Sequence, residues 1–140
     1  DIVAEKSPKM IEDTLVGLTD KTIIPQKQCE DCVCMANKLT KEECKIDWTK
    51  SAQDIHNLVR GIYQCPSAYF LVNDKIIKVL ETRVENGSGT AGEFINVTKE
   101  GVEVACGSGS LLLLKVKPEG KGEMPARDWY NGVKNAIKRN

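Results

Sequence analysis

The sequence predicts a mainly β domain in which five short strands form a small barrel or sandwich, with a helix before and after it. From Ala68 to Lys117 the apolar residues alternate with polar ones or form runs of strand length. Turn residues, many of them glycines, divide this stretch at short intervals. Segments whose apolar residues have helical spacing lie on both sides of it.

The turn residues set the limits of the predicted strands. Asn73–Asp74 separates the first two strands, 69–72 and 76–80, and so predicts a hairpin. The next turns are rich in glycine. They leave strands predicted at 92–97, 102–106 and 110–117.

A first helix is predicted over residues 8–18, with Ser7 as its N-cap and Pro8 in its first turn. Residues at helical spacing form an apolar stripe along one face of this helix: Met10, Ile11, Thr14, Leu15 and Leu18. A single amphipathic helix is not stable by itself. We therefore expect this stripe to pack against a part of the protein that lies outside this sequence.

Two further helices flank the strands. Ser51 is the expected N-cap of a helix that runs to about Gly61, and Asp54 occupies the position of the capping-box acid. The spacing of its apolar residues predicts that one face of this helix is buried. A final helix is predicted to start at Pro125 and to bury Trp129.

The composition is that of an ordinary globular protein. The 140 residues are 41% hydrophobic and 29% charged. No apolar run has the length of a membrane helix and no secretory signal is visible, so we expect a cytoplasmic protein without a membrane segment. Because the sequence begins with Asp1, we also expect it to be a piece of a longer chain.

The charges are unevenly distributed although their sum is zero. Residues 1–47 hold seven lysines and ten acidic residues, a net charge of −3. Residues 48–140 hold thirteen basic and ten acidic residues, a net charge of +3. The second part can therefore attract a polyanion, but far less strongly than a dedicated nucleic-acid domain.

Four of the six cysteines lie close together, at positions 29, 32, 34 and 44. Cys29-x-x-Cys32-x-Cys34 has the ligand spacing of half a zinc site. Structural zinc sites usually need a second Cys-x-x-Cys or two histidines, and this region offers only Cys44. We therefore expect reduced thiols and no metal. The single histidine, His56, is expected on a helix surface or in a cap, because no partner for catalysis is evident.

Several segments, in order, resemble the C-terminal region of the methionyl-tRNA formyltransferase family. Residues 38–48, KLTKEECKIDW, resemble its linker motif, and 55–61, IHNLVRG, resemble the first helix of its C-terminal domain. Residues 101–109, GVEVACGSG, and 116–121, VKPEGK, resemble two of its turn motifs. One departure is Cys65, where the family often carries a tryptophan.

The resemblance implies a division of the chain into three parts. Residues 1–20 would be the closing helix of a catalytic domain, 21–47 a linker, and 48–140 an OB-like barrel that binds tRNA. The family's enzyme transfers a formyl group from 10-formyltetrahydrofolate to the amine of methionyl initiator tRNA. Its catalytic motifs are not in this sequence. We therefore expect no catalytic residue, no bound cofactor and no activity for these 140 residues alone, which we expect to be monomeric.

Six lysines are candidates for contact with tRNA. Lys38 and Lys41 match the linker lysines of the family. The other four lie on the first hairpin or beside the Pro-Glu-Gly turn: Lys75, Lys78, Lys117 and Lys121. The alternative for each is an ordinary solvated surface lysine.

Two other functional interpretations remain open from the sequence. The domain could belong to a nucleotide-sugar formyltransferase or a formyltetrahydrofolate hydrolase, whose C-terminal domains are similar. It could also be a free-standing RNA-binding barrel. The KLTKE and PEGK segments favour the tRNA enzyme, and the unpartnered stripe of the first helix argues against a free-standing barrel.

Overall fold

The computed structural model describes residues 2–63 and 66–137, which belong to two compact units, Asp1–Asn37 and Lys38–Asn140. The first unit contains α1 (Ile2–Thr19) and a 3₁₀ turn (Glu30–Cys32). The second unit starts with another 3₁₀ turn (Glu42–Cys44). Its remaining elements are α2 (Ala52–Gly61), β1 (Tyr69–Val72), β2 (Lys75–Glu85), β3 (Phe94–Val97), β4 (Val102–Ala105), β5 (Ser110–Pro118), β6 (Met124–Pro125) and α3 (Ala126–Ile137).

Helix α1 includes residues well before the predicted start. Pro8 lies inside the helix, and the Ser7 hydroxyl donates to the carbonyl of Val3 at 2.6 Å instead of capping a helix terminus. The prediction that the helix starts at Pro8 with Ser7 as its cap was wrong. The helix continues through Pro8, although proline there removes one N–H donor and its ring crowds the carbonyl four residues earlier. Among the described residues, no helix is long and apolar enough to cross a membrane.

The end of α1 is a Schellman motif. Lys21 takes a left-handed backbone conformation with φ of 58°, and the Thr22 amide donates to the carbonyl of Gly17 at 2.9 Å. The side chain of Ile23 then covers Gly17, the one residue of α1 that is buried among those described. The predicted stripe is largely solvent-exposed, with Met10 at 66% and Leu15 at 60%.

The second unit contains one antiparallel sheet with strand order β1-β2-β5-β4-β3, and β6 pairs with β5. The five predicted strands and the helices on either side of them are therefore confirmed. Three details were wrong. Strand β2 continues to Glu85, five residues beyond its predicted end at position 80. The short strand β6 was not predicted, because a two-residue segment that includes Pro125 has no period to detect. Consequently α3 begins at Ala126, one residue later than expected.

The sheet curls into a half-barrel. Strands β1 and β3 are its opposite edges, yet Phe70 of β1 and Phe94 of β3 have ring centroids only 6.5 Å apart. Trp129 of α3 contacts both rings, at 5.7 and 6.1 Å. Helix α3 thus covers the gap between the two edges, and aromatic contact replaces the hydrogen bonds that would close a barrel.

One hydrophobic core lies inside the curl. Strands β4 and β5 supply its centre, where Val102, Leu111 and Leu113 are completely buried. Helix α2 adds Ile55 and Val59, each at most 2% exposed. The predicted cap of α2 is confirmed: the hydroxyl of Ser51 accepts from the Asp54 amide at 3.1 Å and donates to its carboxylate at 2.6 Å.

The segment before α2 is part of this unit. Cys44 and Ile46 are 1% and 4% exposed within the core, and the Ile46 amide donates to the carbonyl of Tyr69 at 2.7 Å. The second compact unit therefore begins at Lys38 and includes residues before position 48, where the barrel domain was expected to start. The sequence motif at 38–48 is thus folded onto the sheet and differs from the linker that we expected there.

Two glycines of the GVEVACGSG segment allow backbones to approach closely. The amide of Gly107 donates to the carbonyls of Trp48 and Lys50, both at 2.9 Å, and a Cβ at this position would overlap the carbonyl oxygen of Thr49. A Cβ at Gly101 would overlap the carbonyl oxygen of Leu113. The hydrogen bonds of Gly107 join the segment before α2 to the turn between β4 and β5.

We expect Gly107→Ala to lower the free energy of unfolding by about 1–3 kcal/mol, because a backbone carbonyl cannot move aside as a flexible side chain can. Gly122→Ala is the matched control, since nothing lies within 4 Å of a Cβ at that position. Urea unfolding followed by circular dichroism gives both values. Equal urea midpoints for the two variants would show that the close backbone approach at Gly107 does not contribute to stability.

Candidate nucleic-acid interface

A row of three register-paired residues crosses the sheet at Lys78. Tyr69 of β1 is the register partner of Lys78 of β2, and Lys78 is the register partner of Lys117 of β5. Their neighbours Val79 and Val116 are also paired and are fully buried in the core. Because successive residues of a strand point to opposite faces, Lys78 and Lys117 face away from the core. Tyr69 is half-buried opposite Lys78 and also packs against core residues.

Lys78 lies at the junction of three surface cavities. Lys78, Lys117 and Lys121 line a cavity of about 290 Å³ around the Pro118–Gly120 turn. Lys78 also shares a cavity of about 300 Å³ with Lys41 and Tyr69. A third cavity, of about 220 Å³, has Lys78, Leu80, Lys117 and Glu123 in its lining. We call the surface formed by Lys41, Tyr69, Lys78, Lys117 and Lys121 the lysine face.

The lysine face therefore contains four of the six predicted lysines. The other two lie apart from these three cavities. Lys75 is exposed where the first hairpin turns, opposite Val72, and Lys38 is exposed at the start of the second unit. The structure does not bring either of them to the cavities around Lys78.

The carboxylates that line the same cavities as the lysine face bond to other groups. Within the described residues, no ion pair involves a lysine of this face. Glu123 pairs instead with Lys115 at 3.2 Å, and the Glu119 carboxylate accepts from the Ile76 amide at 3.3 Å. Lys78 and Lys117 are directly opposite each other, which is unfavourable for folding. Such a surface is suited to a ligand with several negative charges.

A capped turn holds Lys41 at the edge of this face. The Thr40 amide donates to the Glu43 carboxylate at 2.8 Å, and the Glu43 amide donates to the Thr40 hydroxyl at 3.3 Å. The backbone N–H and then the hydroxyl of Thr40 lower the pKa of Glu43, so its carboxylate stays ionised. The thiol of Cys44 donates to the Thr40 carbonyl at 3.1 Å from within the core. These bonds anchor the turn that carries Lys41.

A family profile described as the formyl transferase C-terminal domain matches residues 38–134. The chain belongs to this family. The match begins at Lys38, where the second compact unit also begins. It therefore covers the curled sheet, α2 and the turn that carries Lys41.

Curated relatives agree with the resemblance seen in the sequence. The chain is 37% identical over 134 residues to the methionyl-tRNA formyltransferase of Citrifermentans bemidjiense, a match covering 96% of this chain and 42% of that protein. It is 40% identical over 128 residues to the methionyl-tRNA formyltransferase of Jannaschia sp., covering 91% of this chain and 40% of that one. The chain thus spans about 40% of the length of these relatives.

Solved structures of HypX from Aquifex aeolicus have a similar fold. One variant of it superimposes with a TM-score of 0.72 at 16% identity, covering 98% of this chain and 26% of that one. A HypX structure in complex with tetrahydrofolic acid gives a TM-score of 0.69 and covers 92% of this chain and 23% of that one. At this identity the likeness concerns the fold alone.

The cysteines of this chain lie in different environments. Cys44 is buried, and burial raises the pKa of its thiol, so it acts as a packing residue. Cys29 and Cys34 are exposed in the first unit. No group of three potential metal ligands occurs among the described side chains, but the side chain of Cys32 and the whole of Cys65 lie outside them. The expectation that the cluster holds no metal remains a prediction.

His56 joins α2 of the domain to the sheet. Its Nδ1 lies 2.8 Å from the hydroxyl of Thr82 on β2, and the ring is half-buried. The sequence suggested a helix surface or a cap, and the residue is indeed on the helix, on the side that faces β2. Position 56 follows the buried Ile55 directly, so the helical spacing alone did not reveal the contact with Thr82.

Tyr69 is the member of the lysine face that sequence reasoning missed. The hairpin turn at Asn73–Asp74 pairs Val72 with Lys75, and counting outward from that pair places Tyr69 opposite Lys78. The signal was therefore present in the predicted hairpin. In contrast, no local pattern indicates that Lys117 lies opposite Lys78, because the pairing joins distant parts of the sequence.

The environment of His56 predicts a pH dependence of stability. Burial, and then the nearby charge of Arg60, lower the pKa of His56 below its ordinary value of 6.5. The unfolded chain then binds the proton more readily than the folded one. The free energy of unfolding should therefore fall as the pH falls below about 6.5.

His56→Gln should remove part of that fall, because glutamine can keep a bond to Thr82 and does not titrate. Urea midpoints of both proteins at pH 7.5 and pH 5.5 measure the effect. If the urea midpoint changes equally between the two pH values in both proteins, His56 does not contribute to the pH dependence of stability.

Proposed function

We propose that this domain is the tRNA-binding part of a methionyl-tRNA formyltransferase. Such an enzyme transfers the formyl group of 10-formyltetrahydrofolate to the amine of methionyl initiator tRNA, for use in translation initiation in the cytoplasm. The names of the curated relatives support the enzyme. The observation that carries the RNA-binding role is the lysine face, four unpaired lysines gathered around a half-buried tyrosine on one side of the sheet.

The chemistry of this face suits an RNA backbone. Lysine ammonium groups act as point charges that attract phosphates, and their binding releases counterions. Lys78 and Lys117 lie on adjacent strands, about 5 Å apart in the hydrogen-bonding direction, so both can reach one phosphate or two successive ones. The face offers few groups that could read base edges. It therefore supports binding and orientation of the tRNA more than selection of its sequence.

In this proposal, formyl transfer and donor binding belong to residues outside the 140. No role in the reaction is assigned to a residue of this chain, and the domain itself needs no cofactor. The methionyl end of the tRNA would meet the catalytic residues of the complete protein while the lysine face holds another part of the same molecule. The domain would bind the tRNA as a monomer.

The proposal predicts weak, salt-sensitive binding of tRNA to this chain. Non-specific affinities at physiological salt are about 10⁻⁴ to 10⁻⁶ M, and the modest net charge places this chain near the weak end. Initiator and elongator tRNAs should bind almost equally. Lys78→Gln with Lys117→Gln should weaken binding and reduce the slope of log K against log salt by roughly two.

The matched control is Lys99→Gln with Lys134→Gln, which removes the same charge from exposed lysines away from the lysine face. Filter binding or fluorescence titration at several salt concentrations compares the three proteins. Equal losses in both double variants would show that only net charge matters. Binding that does not respond to salt, or the absence of tRNA binding, would contradict the proposal and favour a formyltransferase that acts on another amine.

A further inference from the structure

A fourth cavity, of about 430 Å³, lies between α2 and β2 and is not part of the lysine face. Its buried lining is formed by Val59, Leu80 and Thr82. The half-buried His56 and the more exposed Arg60, Tyr63 and Glu81 complete it. The cavity thus combines an apolar floor, an exposed aromatic ring and several hydrogen-bonding groups.

The accessible surface of this cavity is almost entirely apolar, and its polar side chains contribute little to it. The contact between His56 Nδ1 and Thr82 holds the imidazole against β2, and no hydrogen bond within the described residues engages its Nε2. The guanidinium of Arg60 forms no ion pair in the described part of the chain. Tyr63 is 54% exposed, so the ring can stack on a planar group.

The charges of the cavity favour a particular kind of ligand. Arg60 contributes one positive charge and Glu81 one negative charge, so a bare phosphate gains little here. A nucleotide fits better. Its base can lie on the apolar floor beside Tyr63 and leave its phosphate near Arg60.

The cavity is adjacent to one of the cavities of the lysine face. Leu80 lines both this cavity and the one that contains Lys78 and Lys117. A nucleotide of a strand whose phosphates are held by those lysines is therefore within reach of the cavity. Unpaired bases are the ones that RNA-binding proteins usually extract and stack on aromatic side chains.

We propose that the cavity between α2 and β2 accepts one unpaired nucleotide of an RNA whose backbone is held by the lysine face. This inference rests on the proposed function, because it needs an RNA on the lysine face. It adds a preference that the lysines alone cannot supply: RNA with an unpaired base beside a helical stem binds better than fully paired RNA.

Two RNA duplexes with the same number of phosphates test the proposal by fluorescence anisotropy, one blunt and fully paired, the other with a single bulged 2-aminopurine. We expect the chain to bind the bulged duplex about fivefold or more tightly, which is the gain from stacking one base. The fluorescence of the 2-aminopurine should change on binding. Tyr63→Ala and Arg60→Gln should each reduce the preference and keep affinity for the blunt duplex.

Arg127→Gln is the matched control, because Arg127 is an exposed arginine on α3 that does not line the cavity. Equal affinity of the wild-type chain for both duplexes would overturn the inference and leave the proposed function standing. Failure to bind either duplex would overturn the proposed function as well. Tight binding of adenosine monophosphate alone would also overturn the inference, because the site would then serve a free nucleotide.

Discussion

Pairing between β2 and β5 joins residues that are distant in sequence, and it determines both the core and the lysine face. Val79 and Val116 form one pair of this ladder and are buried, whereas the adjacent pair, Lys78 and Lys117, faces away from the core. A slip of one residue would turn valines outward and lysines inward, which burial forbids. The position of the two lysines is therefore a consequence of hydrophobic packing, although their like charges oppose it.

The segment before α2 depends on the same sheet. Ile46 bonds to Tyr69, and Gly107 bonds to Trp48, so this segment is attached both to the edge strand β1 and to the turn between β4 and β5. The cap between Thr40 and Glu43 then places Lys41 beside Lys78. A lysine that precedes the sheet in sequence thus joins two that belong to its strands. Within this segment Cys44 and Ile46 pack in the core and the Glu43 carboxylate caps the turn, whereas Lys41 forms no ion pair in the described part of the chain.

Local patterns were sufficient for most of the secondary structure, since alternation, turn residues and the Ser51 cap act over a few residues. They could not reveal the partner of Lys78 on β5, because bulges at Leu80 and Leu114 interrupt the ladder between distant segments. The start of the unit at Lys38 was missed for a similar reason. Only the folded sheet provides the surface that buries Cys44 and Ile46. The cavity beside His56 likewise exists only once α2 packs on β2.

The central claim is that one face of the sheet, organised around Lys78, contacts RNA. Lysine acetylation followed by mass spectrometry, with and without saturating tRNA at low salt, tests it most directly. The account predicts that tRNA protects Lys41, Lys78, Lys117 and Lys121 and leaves the reactivity of Lys99 and Lys134 unchanged. Protection of Lys99 and Lys134, with the four lysines of the face still reactive, would contradict it.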